Sequence, residues 1–323
     1  MAISVEHWEA RIGRRLRLRD LHVLLTVVQC GSMAKAAQRL AVSQPAVSKA
    51  IANLEQTLGV RLLDRGPQGV EPTLYGNALV RRGLAVFDEL RQGVGEIEFL
   101  SDPTAGEVRI GCNESLSAAL LPEVIGRLSD QYPGLTVHVA QMSRPITVEI
   151  RQLRERNVDL IISRGVFAIP EDDLNAEILF EEPFIVIAGA QSPWARRRKL
   201  ELVELAGEKW ILYPPHEAPG ALVQQAFRAR GLKLPRASVT TTSFHLRDML
   251  LMTGDYLTVI PACTLNVLNA KRLTAKPLPI DLGVQTRPVA IFTLKNRTLS
   301  PVAELFIKCV RAVVKSMVSQ PTR

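Results

Sequence analysis

Two patterns of apolar residues divide the chain. From Leu18 to about Leu100 they recur at three- and four-residue steps, the helical period; beyond that, short apolar runs that fit strands alternate with further helical stretches. Leu18, Leu21, Leu24, Leu25 and Val28 share one helical face, and Gly31 predicts where that helix stops. Ser32 predicts the start of a short alanine-rich helix, MAKAAQRL. Ala41 and Val42 connect it to a third helix, with Ser43 as N-cap, that runs from Gln44 to about Leu58 and ends at Gly59. Pro45 falls in the first turn, where backbone N–H groups have no partner within the helix and a proline costs little. Val47, Ala50, Ile51, Leu54 and Leu58 then face a core, which turns Gln44, Pro45, Ser48, Lys49 and Ala52 outward. Two helices joined by a short turn, the second presenting small polar groups and a cation, predict a helix-turn-helix.

The next stretch, VRLLDRGPQGVEPT from Val60 to Thr73, reads as two short extended segments around a turn built from Gly66, Pro67 and Gly69, a β-wing. Thr73 caps a long helix from Leu74 to about Leu100. Within it Val80, Gly83, Phe87, Leu90, Val94 and Ile97 form a heptad seam, which either seeks a partner helix or packs against its own domain. SDPTAG, residues 101–106, reads as a hinge. After it, strand-like runs (GEVRIGC, LTVHVAQ, VDLIIS) alternate with helical ones (ESLSAALLPEVIGRLSDQY, PITVEIRQLRERN), the order of a parallel sheet with crossovers. ILFEEPFIVIAG, KWILYPP, ASVTTT, YLTVIP and RPVAIFTL read as further strands, and a final helix covers about Leu299 to Val318. The layout predicts a multidomain chain: an all-α winged helix-turn-helix at 1–73, a linker and dimerisation helix at 74–100, the hinge, and an α/β two-lobed clamp at 107–323. Its lobe I covers about 107–181 and 281–323, and its lobe II about 182–280.

At 323 residues and 47% hydrophobic content, the chain can bury the cores of two or three domains. Its longest apolar runs, such as Phe184 to Ala190, fall far short of the ~20 residues of a membrane helix. The start, MAISVEHWEA, has no basic-then-apolar leader, so the expectation is a cytoplasmic protein with no membrane partner. Four scattered cysteines without C-x-x-C spacing, and five histidines not at zinc-ligand intervals, predict no metal, disulfide framework or cofactor; Cys112 and Cys263 read as small core hydrophobes.

Charge changes the picture once it is located. Residues 11–82 hold twelve Lys/Arg against four acids, a surplus of eight that equals the net charge of the whole chain. A positive excess confined to the helix-turn-helix segment suits a phosphate backbone, where neutralised phosphates release counterions. The basic run Arg196 to Lys199 lies far from that segment, after Ser192-Pro193, and reads as a solvated loop.

GSMAKAAQRLAVSQPAVSKAIANLEQTLGVRLLDR, followed by EPTLYG, resembles the amino-terminal signature of LysR-type transcriptional regulators. The likeness is strong over residues 16–80 and consistent in layout beyond them. It implies a winged helix-turn-helix, a long linker helix and a periplasmic-binding-protein-like effector domain. The implied partners are double-stranded promoter or operator DNA, a small inducer held between two effector subdomains, and further copies of the chain, as a homodimer or homotetramer through the linker helix; RNA polymerase is a further partner for such a regulator. RGPQGVEPTLYG is similar to regulators of sugar uptake, galactose-binding-protein regulators included, while aromatic-acid sensing is the family's other common theme.

By resemblance, Ser43, Gln44, Pro45, Ser48 and Lys49 form the groove-facing set. Gln44 and Ser48 suit base edges, Pro45 an apolar contact such as a thymine methyl, and Lys49 a phosphate. Arg65 at the wing and Thr73 at the start of the linker helix match positions near the DNA backbone, and Asn53 reads as a local structural hydrogen bond. For the effector, Asn113, Glu114 and Ser115 lead from the first strand into a helix whose free N–H groups suit an acceptor. Ser115 is the family-like position, or else an ordinary N-cap. Ser163 and Arg164 close the third strand, Thr241, Thr242 and Ser243 open a helix in lobe II, and Pro215 with Pro214 and His216 lines the far wall or a surface loop. Arg164 would attract an acidic inducer and Glu114 would repel one.

Three other functions compete. An enzyme is disfavoured by the lack of a G-x-S-x-G elbow, H-E-x-x-H, a phosphate loop or a strand-borne G-x-G-x-x-G, and the acid pairs Asp172-Asp173 and Glu181-Glu182 read as solvated charge. A transport solute-binding module would not carry a basic helix-turn-helix. An architectural DNA binder needs no two-lobed clamp.

Overall fold

A computed structural model of the chain describes residues 15–66, 69–143, 146–164, 172–215, 218–269, 274–284 and 286–319. They belong to two units, Met1–Val94 and Gly95–Arg323.

In the first unit, local signals set the helices. α1 (Leu18–Cys30) ends at Gly31 in the left-handed conformation, with φ 63°. α2 (Met33–Arg39) is capped by the Ser32 hydroxyl, which accepts from the Lys35 N–H at 3.4 Å. α3 (Gln44–Leu58) is capped by Ser43 at Ala46 N–H, has proline in its first turn, and stops at Gly59, whose N–H donates to Glu55. The turn between α2 and α3 places Ala41 at φ 53°, a left-handed position without a glycine. Leu24, Val27, Ala36, Val47, Ile51 and Leu54 form the core of this three-helix unit. The wing is an antiparallel hairpin of β1 (Leu63–Gly66) and β2 (Gly69–Pro72), with Asp64 opposite Glu71 and Arg65 opposite Val70. Its turn residues Pro67 and Gln68 lie outside the described residues. Glu55 anchors the hairpin, accepting the Leu62 and Leu63 N–H groups at 2.8 and 3.3 Å.

α4 (Leu74–Ser101) starts at Thr73, whose hydroxyl accepts from Gly76 N–H at 3.0 Å and donates to the Arg61 carbonyl at 2.8 Å. The heptad seam divides in two. Its first half packs on the helix-turn-helix core: Val80 and Phe87 join that core, the Phe87 ring meets that of His22 at a tilt of 50°, and a Cβ on Gly83 would sit 2.9 Å from Leu21 Cδ1. In its second half Leu90, Val94 and Ile97 are 49%, 57% and 66% exposed. The next strand begins at Ala105, inside the segment read as a hinge, leaving Asp102 to Thr104 as the connection. Asp102 closes that connection by accepting the Thr104 N–H and hydroxyl.

The second unit has two five-stranded sheets, each covered by helices; the three strands read as parallel are parallel, and the later strands make both sheets mixed. The first runs β4 (Gly134–Met142), β3 (Ala105–Asn113), β5 (Leu160–Arg164), β12 (Arg287–Leu294), β6 (Leu174–Glu182). β3 is parallel to β4 and β5, while β12 is antiparallel to β5 and β6. α5 (Glu114–Gln131) and α10 (Pro301–Ser319) pack together on this sheet through Leu116, Leu120, Val124, Phe306 and Val310, and α6 (Ile146–Arg154) packs against a smaller cluster that includes Ile161 and Phe292. The second sheet runs β11 (Ala275–Pro277), β7 (Phe184–Gly189), β10 (Tyr256–Pro261), β8 (Lys209–Leu212), β9 (Ala237–Thr240). α7 (Ala218–Ala229), α8 (Phe244–Leu251) and α9 (Thr264–Leu268) accompany it, and Trp210 with Phe227 centres its core. The segment 178–189, which reads as one strand, is two strands in different sheets. Pro183 separates them: it has no N–H for a ladder, and its carbonyl accepts from Ala262 N–H instead. The antiparallel strands follow from this path, because the chain leaves the first sheet at Pro183 and returns to it as β12.

Candidate DNA-binding and effector sites

The core spacing of α3 settles what it offers outward. Val47, Ala50, Ile51 and Leu54 are buried, so Ser43, Gln44, Pro45 and Lys49 are exposed and Ser48 is half-exposed. Arg65 is exposed on β1. Thr73 is half-buried, its hydroxyl already holding Arg61 and Gly76. Asn53 is exposed; its backbone carbonyl, rather than its amide, makes the local bond, accepting the Thr57 hydroxyl at 2.7 Å. A groove of about 540 Å³ brings Arg17 and Arg19, ahead of and on α1, together with Ala46, Lys49 and Asn53 of α3. Those two arginines were visible in the sequence only as part of a charge total. The surface is more basic than the count suggests, because two of the four acids are withdrawn: Asp20 is buried and Glu55 is spent on backbone N–H groups.

In the second unit the expected effector residues form two linked clusters. In the first, the N-cap of α5 is Asn113 rather than Ser115, since Asn113 Oδ1 accepts the Leu116 N–H at 3.1 Å. This frees the Ser115 hydroxyl for Arg164, whose Nη1 donates to Ser115 Oγ at 2.8 Å and to Asn113 Oδ1 at 3.2 Å. Arg164 Nε donates to Glu182 Oε2 at 2.6 Å, and Nη2 reaches Cys263 Sγ at 3.6 Å. Glu182 Oε1 accepts the Cys263 N–H at 2.9 Å. One expectation falls here. Glu182 is not solvated charge: it is 1% exposed, at the last residue of β6, and neutralises Arg164. Cys263 is half-buried: it packs against the core of the first sheet while its Sγ also faces Arg164, and burial, ahead of the neighbouring Glu182, pushes its thiol pKa up. Cys112 is a core thiol, raised by burial to about 12. Asp173 is also engaged, in a two-bond pair with Arg154.

The second cluster surrounds the start of α8. Ser243 caps it at Leu246 N–H, and the Thr241 hydroxyl accepts the Ser243 N–H at 3.0 Å. Arg247 occupies the buried face of this helix, one turn before Leu251. It is 1% exposed and stacks 3.9 Å over the Tyr213 ring; Nη1 donates to the Tyr213 hydroxyl and Nη2 to the Thr241 carbonyl. Burial pulls its pKa down, opposed by Tyr213 and by the charge of Glu114. Sequence reasoning missed Arg247, although its three- and four-residue spacing to Phe244 and Leu251 was the available signal. The two clusters meet where Glu114 Oε2 accepts the Phe244 N–H at 3.2 Å. Ser163 is buried within β5, whereas Thr242 and Pro215 are exposed, without a side-chain hydrogen bond among the described residues; His216 lies outside them.

A helix-turn-helix with an exposed polar recognition face beside a groove lined by Arg17, Arg19 and Lys49, on the same chain as a two-lobed α/β receptor, defines a DNA-binding transcriptional regulator with an effector-binding domain. Residues 18–77 match the bacterial regulatory helix-turn-helix protein, lysR family, and residues 101–315 match the LysR substrate binding domain. The chain belongs to the LysR family. It is 29% identical over 301 residues to the HTH-type transcriptional regulator YdcI of Escherichia coli (strain K12), covering 93% of this chain and 96% of that one. It is 28% identical over 299 residues to the HTH-type transcriptional regulator GbpR of Azospirillum brasilense, covering 92% and 86%. Among solved structures it is similar in fold to a full-length OxyR variant from Pseudomonas aeruginosa, with TM-score 0.66, 22% identity and coverage of 93% and 95%. It also resembles full-length CbnR complexed with its target DNA, with TM-score 0.61, 20% identity and coverage of 92% and 100%. Among the described residues no helix is long and apolar enough to cross a membrane.

Proposed function

We propose that this regulator reads an operator through α3, with Gln44 and Ser48 on base edges, Pro45 on an apolar base contact and Lys49 on phosphate. Arg65, Ser43 and Thr73 position it on the backbone, and the groove arginines Arg17 and Arg19 extend the phosphate track. The observation that carries this reading is the outward face of α3: small, polar and cationic over a fully buried opposite face. A small inducer binds between the lobes, near Asn113, Glu114, Ser115, Arg164, Thr241 and Ser243, and biases their arrangement by its differential affinity for the open and closed states. Sugars and aromatic or other organic acids are the candidate classes. Copies of the chain pair through the exposed second half of the α4 seam, and the regulator acts in the cytoplasm, with RNA polymerase as a further partner and without enzymatic turnover.

The test is DNA binding across salt. Lys49→Ala should weaken binding to all sequences and reduce the log-log salt slope by about one, while Gln44→Ala should relax preference at one base position. An unchanged salt slope in Lys49→Ala would remove the phosphate contact.

A further inference from the structure

Glu114 stands out in the inter-lobe region because it already plays the part of a ligand. It is the first residue of α5 in one lobe, and its carboxylate accepts the first N–H of α8 in the other, at 3.2 Å. Carboxylates favour this position, where unpaired N–H groups and the helix dipole both attract negative charge. The same helix carries Arg247, 1% exposed, with its Nε unpartnered among the described residues, so a buried positive charge adds to the attraction. The other arginine in the region is not a free anion receptor. Arg164 directs at least four of its five N–H bonds to Glu182, Asn113, Ser115 and Cys263.

We propose that Glu114 is the residue that sets the charge class of the inducer: it occupies the anion position at the start of α8, excludes carboxylates from it, and leaves the site to a polar compound without net negative charge. This rests on the inter-lobe reading of the inducer site and narrows it, favouring hydroxyl-rich compounds over organic acids. Replacing the internal carboxylate by a neutral group should convert the start of α8, with Arg247 behind it, into a carboxylate receptor.

The experiment uses the full chain, as wild type, Glu114→Gln and Glu114→Ala, with hydrogen–deuterium exchange read on the peptide that covers α8. The probes are benzoate and its uncharged analogue benzamide. Without a probe, exchange in the first turn of α8 should rise about tenfold in both variants, the equilibrium equivalent of one charge-assisted bond. Benzoate should restore protection in the variants and leave wild type unchanged, and benzamide should protect neither. Equal protection by benzoate in wild type and variants would overturn the proposal, as would no protection in the variants or no rise in exchange without a probe. A cooperative thermal unfolding transition followed by circular dichroism checks that the effector unit of the variants folds. A failure to bind DNA or to respond to any inducer would remove the regulatory reading and leave the α8 exchange result standing by itself.

Discussion

Glu182→Gln tests whether the Arg164 cluster braces the effector unit. The substitution keeps shape and volume but removes the charge that sits 2.6 Å from Arg164 Nε. The two side chains are 10% and 2% exposed, so water cannot replace the lost partner. Leaving one member of a buried pair without the other costs about 3–5 kcal/mol, and the retained amide oxygen, which still accepts the Cys263 N–H, places the expectation near ~3 kcal/mol. For a unit of this size that lowers Tm by roughly 6–12 °C. The assay is thermal unfolding followed by circular dichroism, with urea titration as a second measure. Glu181→Gln, at the exposed neighbouring position, is the control and should stay within about 0.5 kcal/mol of wild type. Replacing both Arg164 and Glu182 by methionine should recover most of the loss, because neither charge is then stranded. A Glu182→Gln loss under about 1 kcal/mol, or one matching the control, would refute the role of the pair.

Val94→Glu and Ile97→Glu should each weaken self-association roughly tenfold or more, since each removes a side chain worth about 1.5–3 kcal/mol when buried; sedimentation velocity across concentration reads this. Ala41→Gly should raise Tm, because the left-handed φ of 53° costs an alanine about 1 kcal/mol that glycine avoids; a fall in Tm would show the turn to be unstrained. Glu177 has its pKa lowered below 4.5 chiefly by the Arg311 hydrogen bond, so its contribution is complete above that pH and is lost as pH falls through the lowered value. The Tm gap between wild type and Arg311→Ala should therefore be constant at neutral pH and close in acid. Cys112, with a thiol raised to about 12, should resist a thiol reagent at neutral pH until the unit is unfolded, when mass spectrometry would show it modified.

What the sequence made legible was mostly local. The caps at Ser32 and Ser43, the proline in the first turn of α3, and the glycines that end α1 and α3 act over three or four residues, and each stands where its neighbours predicted. The α4 seam shows the limit. Its spacing is uniform from Val80 to Ile97, yet Phe87 meets His22 and Leu90 meets solvent, because the contact that decides comes from a helix some sixty residues earlier in the chain. Glu181 and Glu182 look alike in sequence, but strand alternation exposes one and turns the other onto Arg164, and only the crossing at Pro183 fixes which. Arg247 is the inverse case: a charge at a core position of a helix, which its spacing to Leu251 could have exposed had it been counted as apolar. Of the candidate effector residues, Asn113 and Ser115 meet Arg164, and Glu114 meets the Phe244 N–H, through bonds spanning about fifty residues or more, a range at which single-sequence patterns carry no information.

The route of the chain through the two sheets also orders events during synthesis. β12 fills the place between β5 and β6, and α10 supplies Val302, Phe306 and Val310 to the core under β3, so the first sheet stays incomplete until both have left the ribosome. The helix-turn-helix core, by contrast, is assembled from residues that emerge before any of the effector unit. A nascent or carboxy-terminally shortened chain can therefore fold its helix-turn-helix core before its effector unit can form. Loss of α10 would open the core of the effector unit while sparing that of the helix-turn-helix, so damage to the sensing half does not spread to the DNA-reading half.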